Sequence, residues 1–451
     1  MNSGPSSRTN LTSSKKARNI ELRLSMSDKI WYTIKNNDIV RHVKLGDRSV
    51  ITSKLPIPEW ADRGQPLVDL YDIAWLAAPS RPRVRASARN IRAVDLFCGC
   101  GGLTLGIREA ARALGCGFQS VFASDINRCA QDLYQRNFRP LVFDGNPIET
   151  NIDGELGART TPCEEAFCSK VGQVDILVAG PPCQGNSHLN NYTRGNDPKN
   201  LLYLRAVRCA ELLRPPTVII ENVPGVLHDR HGVLQRADEY LREIGYHVSY
   251  GVLPMWKFGV AQTRRRMILV ASRVLQDVSV DSIVRSAQLP ERPISWAIGD
   301  LLDSYKPGDP FDGAATHAPV NQARIHYLFE HGLYNLPDEQ QPDCHRLKPN
   351  TYPCVYGRMW WNRPSSTITC GFASCGRGRF IHPLRERTLT PHEAARVQFF
   401  PDFFDFSGLV PTQLHLAIGN AVPAKAGYVL AMPLLMAMLD NEVKQRDTES
   451  N

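Results

Sequence analysis

Apolar residues along the middle of the chain gather into short β-branched runs, each closed by a turn signal and often followed by a stretch with helical spacing. Ala93-Val94-Asp95-Leu96-Phe97 breaks into the glycine-rich turn Cys98-Gly99-Cys100-Gly101-Gly102, and residues 103–114 predict the helix that follows. Further strands are expected at residues 120–124, 141–143, 174–179, 217–221 and 264–271. Strand and helix in alternation predict an α/β fold with a doubly wound, mostly parallel sheet, and such sheets do their chemistry at the carboxyl ends of their strands. Upstream, residues 29–34 and 49–52 are β-rich and residues 67–77 predict a helix, which makes 28–90 an accessory element with a linker. Beyond Ser272 the alternation is lost and Pro, Gly, His and Tyr become frequent, so a second, smaller module is expected over residues 272–385.

Reactive residue types fall where the expected strands end. Gly180-Pro181-Pro182-Cys183-Gln184 follows the run 174–179. Its two prolines fix φ and remove two backbone donors, which stiffens the turn and presents Cys183 in one orientation. Taken alone, that cysteine is equally a presented nucleophile or an inert buried thiol. Glu221 closes the run 217–221, about one βαβ unit after Cys183, so adjacent parallel strands bring the two side chains to one edge. In Gln262-Thr263-Arg264-Arg265-Arg266 the alternate residues Arg264 and Arg266 are expected on one face of the following strand, where they converge with Cys183 and Glu221. The spacing of the first glycine turn fits neither a dinucleotide fingerprint nor a P-loop. Asp125, which closes the run 120–124, suits a ribose diol, and Asp144 is placed to accept from an adenine amino group.

Composition narrows the partners. The 451 residues are 43% hydrophobic and 22% charged, enough for a large core and more than one domain. No apolar run approaches the roughly 18 residues that span a bilayer, and no membrane insertion is expected. Among the 12 cysteines there is no Cys-x-x-Cys pair, which points to a reducing cytoplasm and no structural metal. The formal net charge of +8 favours a polyanionic partner. Residues 1–27 read as a disordered basic arm, with Arg8, Lys15, Lys16 and Arg18 in Ser, Thr and Asn-rich sequence. Residues 79–89 form a basic linker that either touches phosphates or is a solvated connector.

With these motifs in this order, the chain resembles the cytosine carbon-5 DNA methyltransferases. The resemblance is carried by Asp95-Leu96-Phe97-Cys98-Gly99-Cys100-Gly101-Gly102, Pro181-Pro182-Cys183-Gln184, Glu221-Asn222-Val223 and Gln262-Thr263-Arg264-Arg265-Arg266. It continues through Arg387-Thr388-Leu389-Thr390-Pro391-His392-Glu393-Ala394-Ala395-Arg396-Val397-Gln398-Phe399-Phe400-Pro401-Asp402 and Gly419-Asn420-Ala421-Val422-Pro423. It covers residues 91–430 apart from a variable stretch, where the family places target recognition. The resemblance implies a Rossmann-like catalytic and cofactor domain over 91–271, target recognition over 272–385, a hinge and motif segment over 386–410, and a segment over 411–445 that returns to the first domain.

The implied cofactor is S-adenosylmethionine, held by Phe97, Cys98, Gly99, Gly101, Gly102, Asp125, Ile126, Asp144, Gly180, Pro182, Asn420 and Val422, with Asn420 toward the methionine end. The implied catalytic set is Cys183, Glu221, Arg264 and Arg266, acting on a cytosine flipped out of duplex DNA. Candidate DNA contacts are Ser187 and His188 in the polar loop after the nucleophile, His345, Arg346 and Lys348 in a basic run, and Arg377 and Arg379 between glycines. No nicotinamide or metal is required. A restriction–modification enzyme or an orphan relative is implied, with any cognate endonuclease acting on the same site without a stable complex, and a monomer is expected. The nearest alternative, a tRNA cytosine methyltransferase of the same fold, carries a Cys-Phe-Thr tripeptide that is absent here. A catalytically dead DNA-binding regulator would have no physical reason to keep the reactive set.

Overall fold

The computed structural model describes residues 29–46, 49–84, 89–182, 201–346 and 354–449. The chain opens with β1 (Ile30–Lys35), β2 (Asp38–Leu45), β3 (Ser49–Pro56) and α1 (Leu67–Leu76). An alternating series follows: β4 (Asn90–Leu96), α2 (Gly102–Ala113), β5 (Gly117–Ser124), α3 (Arg128–Phe138), β6 (Val142–Asp144), α4 (Pro162–Val171), β7 (Ile176–Ala179), α5 (Leu202–Leu213), β8 (Thr217–Asn222), α6 (Val233–Glu243), β9 (His247–Pro254) and β10 (Arg265–Ser272). The remainder is helical: α7 (Val280–Ser286), α8 (Ile294–Ile298), α9 (Pro319–Glu330), α10 (Asp343–Arg346), α11 (Pro391–Val397), α12 (Pro411–Asn420) and α13 (Ala424–Glu449).

Seven strands pair in the order β6-β5-β4-β7-β8-β10-β9. The first five in that order are parallel, while β10 runs antiparallel to both β8 and β9. The carboxyl ends of β4 to β8 therefore share one edge, and the reversal of β10 brings its start to the same edge, with Met267 opposite Asn222. Sequence reading missed β9, whose polar alternation on an outer strand lacks the continuous apolar run of its buried neighbours.

Both faces of the sheet are covered, because successive strand residues point to opposite sides. Val94, Leu177, Val218 and Ile220 join a core with α4, α5 and α6. Ala93, Ile176, Val178, Ile219 and Ile268 join another with α2 and α13. Within α13, Leu430, Leu434 and Leu435 are fully buried, and each such leucine contributes about 1.5–3 kcal/mol through burial. The segment Pro411–Gln445 also corrects the expectation that no apolar stretch is long enough to span a bilayer: it contains a window of mean hydropathy 1.5, but 83% of that window is buried inside the protein, so it serves as core.

The N-terminal strands are fastened to the large domain. Ile39, Val43 and Leu55 enter the core shared by α2 and α13. Buried Arg41 bonds the Tyr428 hydroxyl at 3.4 Å and pairs with Glu109 at 3.0 Å, and Lys425 bonds Asp72 at 2.7 Å. At its described ends the basic linker is tied to the rest of the protein by its own arginines. Arg81 donates to the Asn137 carbonyl, and Arg89 forks onto Asp175 while pairing with Glu442.

The expected start of the smaller module at residue 272 also shifts. Residues of α7 and α8, with Leu301, join the large core, because α7 packs on β9 and α13 while α8 packs on α11. A distinct small core forms only later, from Ile325, Leu328, Leu336, Tyr356, Cys375 and Ile381.

Candidate active site

Where β4 ends, Phe97 takes a left-handed φ of 56°, unusual for a residue with a side chain, and turns the chain into the glycine loop. Cys98, buried, donates its N–H to Ser124 at 3.0 Å, which ties the loop to the end of β5. Asp125 holds the loop by its carboxylate: Oδ2 accepts from Gly99 N–H at 2.8 Å and Oδ1 from Asn127 N–H at 2.8 Å. Burial pushes that carboxyl above the usual range, opposed by these two backbone donors. Gly99, at φ 53°, has open space where a Cβ would stand, whereas a Cβ on Gly102 would come within 2.1 Å of the Val422 carbonyl. The glycines thus serve two purposes, room on one side and close packing of the 420–423 turn on the other.

Ile126 is 72% exposed beside Asp125, an apolar side chain with nothing described to cover it. At the end of β6, Asp144 accepts from Asn146 and Asn151, which fixes its carboxylate without using every lone pair. Gly180 donates to the Leu96 carbonyl at 3.0 Å, so the Pro181–Pro182 turn leaves the sheet directly beside the glycine loop. Phe97, Gly99, Gly101, Gly102, Asp125, Ile126, Asp144, Gly180, Pro182 and Val422 are all carried by these strand ends and the turn packed on them. Open backbone, an exposed apolar side chain and two oriented carboxylates fit a nucleoside-bearing cofactor.

Glu221, 8% exposed, is the next-to-last residue of β8, one strand away from that turn, and its Oε2 would lie 3.7 Å from a Cβ on Gly180. Arg266 Nε pairs with Glu221 Oε1 at 2.8 Å. Burial raises the Glu221 carboxyl above its ordinary range, and Arg266, then Arg264, pull it down only in part. Arg264 lies just before β10 instead of within it, contrary to the expectation of two arginines alternating along one strand. It is nevertheless buried and close enough to act on Glu221. Its Nη1 donates to the Ile368 carbonyl at 2.9 Å, while its buried Nε has no hydrogen-bond partner among the described residues. A buried donor without a partner costs about 1–3 kcal/mol, so Arg264 Nε is poised to donate to a ligand carbonyl.

Behind these groups runs an amide relay to which sequence reading gave no role. Buried Gln262 donates to the Val397 carbonyl and to Gln398 Oε1, and accepts from Ile368 N–H; Gln398 in turn donates to the Ile418 and Ala421 carbonyls. Four segments distant in sequence, at 262, 368, 397–398 and 418–421, are thereby locked together beneath Arg264 and Asn420. Asn420 itself is exposed at the end of α12, with Oδ1 receiving the Cys370 thiol at 2.9 Å.

The DNA candidates divide. Arg379 is a correction: it is 6% exposed, donates to the Tyr334 and Arg358 carbonyls and to Asn335, and stacks over Trp360 at 4.1 Å. Glycine neighbours suggested an open loop, but the guanidinium is used inside the module. Arg377 is exposed, Arg346 pairs with Asp343 at 2.6 Å on the surface, and His345 sits edge-on to Tyr356. Cys183, Ser187, His188 and Lys348 lie outside the described residues.

A family model for the C-5 cytosine-specific DNA methylases matches residues 91–434. The Type II methyltransferase M1.BsuMI of Bacillus subtilis is 45% identical over 417 residues, covering 92% of this chain and 97% of that protein. The Type II methylase M.HgiDII of Herpetosiphon aurantiacus is 32% identical over 354 residues, 75% of this chain and 93% of that protein. Among solved structures, a putative DNA modification methyltransferase encoded within an E. coli prophage superposes with a TM-score of 0.55 at 21% identity, over 78% of this chain and 99% of the other. That likeness concerns the fold.

Proposed function

The chain belongs to the C-5 cytosine-specific DNA methylases, and from that premise we propose that Cys183, Glu221, Arg264 and Arg266 are the groups with which it methylates cytosine. It is a DNA (cytosine-5) methyltransferase with S-adenosylmethionine as its methyl donor. The observation that carries the residue assignment is the buried Glu221 between Arg266 and Arg264, at the edge where the chain turns toward Cys183.

Cytosine carbon 5 is a weak nucleophile until the ring is activated. Cys183 as thiolate would add to carbon 6: its lone pair forms the sulfur–carbon bond and the carbon 5–carbon 6 π pair is displaced into the ring. Glu221, its carboxyl raised by burial, would hold a proton at ring nitrogen 3 so that the pair collects as an enamine at carbon 5. Arg264, with a free buried donor, would brace the base carbonyl, and Arg266 would keep Glu221 aimed at the ring. When bound, the cofactor supplies an electrophilic methyl group on a positively charged sulfur. With that pair spent on the new carbon–methyl bond, transfer of the carbon-5 proton to water lets its C–H pair re-form the carbon 5–carbon 6 double bond, and the sulfur–carbon pair leaves with Cys183 as thiolate.

For the cofactor, Asp125 would take the ribose diol, Ile126 and Phe97 the faces of the adenine, Asp144 its amino group, and Asn420 the methionine end. Asp125→Ala is expected to weaken cofactor binding at least tenfold, since it removes both the diol acceptor and the clamp on Gly99. Equilibrium titration with S-adenosylmethionine checks this, and an unchanged affinity would remove Asp125 from the site.

Target readout is assigned to the small module around α9 and the segment 354–381, with exposed Arg377 and the surface run at His345 and Arg346 as contacts. The two relatives named as Type II enzymes support a restriction–modification setting, and a cytoplasmic location is proposed with it. A monomer, and an endonuclease that shares the site without a stable complex, complete the proposal. The direct test is incubation with labelled S-adenosylmethionine and duplex DNA beside tRNA, followed by nucleoside digestion. Label in 5-methylcytosine from DNA is expected, and label in tRNA alone would overturn the DNA reading.

A further inference from the structure

Asn420 is a primary amide, with an acceptor at one end and two donors at the other, and which end meets the cofactor decides whether it attracts or repels a carboxylate. Nothing on its own helix fixes that choice. The fixing contact comes from a neighbouring segment distant in sequence, where the Cys370 Sγ–H donates to Asn420 Oδ1 at 2.9 Å. The Leu416 carbonyl is the thiol's only other acceptor among the described residues, and at 3.8 Å it competes poorly for the single proton. With Oδ1 taken, Nδ2 and its two hydrogens face away from Cys370.

We propose that Cys370 is a positioning residue for methyl transfer, its thiol setting the Asn420 amide so that the N–H end is presented to the carboxylate at the methionine end of the cofactor. This rests on the reading of Asn420 as a cofactor contact. Burial pushes the Cys370 thiol up, against the smaller pull of Arg264 and Arg377, so sulfur keeps its proton at neutral pH and remains a donor.

The placement of Cys370 is tightly determined. Ser365 accepts from Thr263 N–H at 2.9 Å, Ile368 N–H donates to Gln262 at 3.2 Å, and the Ile368 carbonyl receives Arg264. On the far side, a Cβ at Gly419 would stand only 2.2 Å from the Cys370 nitrogen, so the strip 365–370 is wedged between the arginine segment and the 418–421 turn. The same strip therefore touches the base-side guanidinium and the cofactor-side amide.

The test is equilibrium binding of S-adenosylmethionine to the full chain and to Cys370→Ala, Cys370→Ser and Asn420→Asp, with duplex DNA affinity and thermal midpoint as controls of the fold. Cys370→Ala is expected to weaken cofactor binding about three- to tenfold, the span of one lost neutral hydrogen bond. Cys370→Ser, whose hydroxyl restores the donor, is expected to recover most of that loss. Asn420→Asp keeps the partner for the thiol but offers the cofactor only acceptors, and is expected to bind more weakly than Cys370→Ala. If the serine variant is as weak as the alanine variant, or the alanine variant binds normally, Cys370 does not act by donation and the proposal fails while Asn420 keeps its assignment. Normal binding by Asn420→Asp would instead remove Asn420 from the cofactor site, and the proposal with it.

Discussion

Cys183→Ser is expected to reduce methyl transfer to the uncatalysed background while S-adenosylmethionine still binds. A hydroxyl titrates far above the thiol value of about 8.5, so almost no oxyanion exists near neutrality to add to carbon 6. No atom of the Asp125 and Ile126 side of the site is touched by the change. Glu221→Gln is the informative companion, with an expected loss of about 10²- to 10⁴-fold, the usual contribution of a positioned acid. Its sign with pH is fixed by the raised Glu221 carboxyl. The acid is competent while protonated, so activity should fall as pH rises through that value, whereas thiolate formation at Cys183 makes activity climb with pH. The wild-type profile should be bell-shaped and the Glu221→Gln profile should lose its alkaline fall. Pre-steady-state methyl transfer across pH measures both. Near-normal turnover in Cys183→Ser, or an unaltered alkaline limb in Glu221→Gln, would remove the respective residue from the chemistry.

Much of the sheet domain was legible because its signals are local. Runs such as Thr217-Val218-Ile219-Ile220 are apolar on both faces, as only a strand covered by helices on both sides can be, and they end in residues with no place in a core. Convergence of Glu221 with Arg264 and Arg266 followed from placing each at a strand terminus. What could not be read is the antiparallel turn of β10, which brings the arginines to the same edge, because direction depends on how β9 pairs and not on the run itself. The role proposed for Cys370 left no trace in the sequence, since a thiol between Thr369 and Gly371 looks the same whether it packs, reacts or donates. Arg379 misled for a physical reason: glycine neighbours describe backbone freedom and say nothing of where a long guanidinium stem is buried. A readable signal was missed twice, once at Thr161-x-x-Glu164 and once further on. Thr390-x-x-Glu393, with proline at the first helical position, is a capping box, and the structure contains it at the start of α11.

That capping box anchors the largest expected stability effect. Glu393, 1% exposed, accepts both Nη atoms of Arg387 at 2.8 and 2.7 Å and the Thr390 N–H at 2.9 Å, while its own N–H returns to Thr390 Oγ1 at 3.1 Å. His382 stands 3.4 Å away, but burial pushes it down to about 4, so at neutral pH it is uncharged and Arg387 is the cation that balances the carboxylate. Glu393→Ala would leave a nearly buried guanidinium without its counter-charge and remove half of the cap. Breaking a buried pair from one side costs about 3–5 kcal/mol, and the loss should fall on the segment that carries Arg396 and Gln398. Gln398 holds the turn before Val422, so the cofactor site should loosen before the sheet itself melts. Replacing both partners, as in Arg387→Leu with Glu393→Leu, should be less harmful than Glu393→Ala alone, because no charge is then stranded. Urea unfolding of the two variants beside wild type decides the matter. If the double variant is the less stable of the two, the pair contributes to folding through more than mutual charge compensation, and the cost must be sought in the cap and the packing around Thr390.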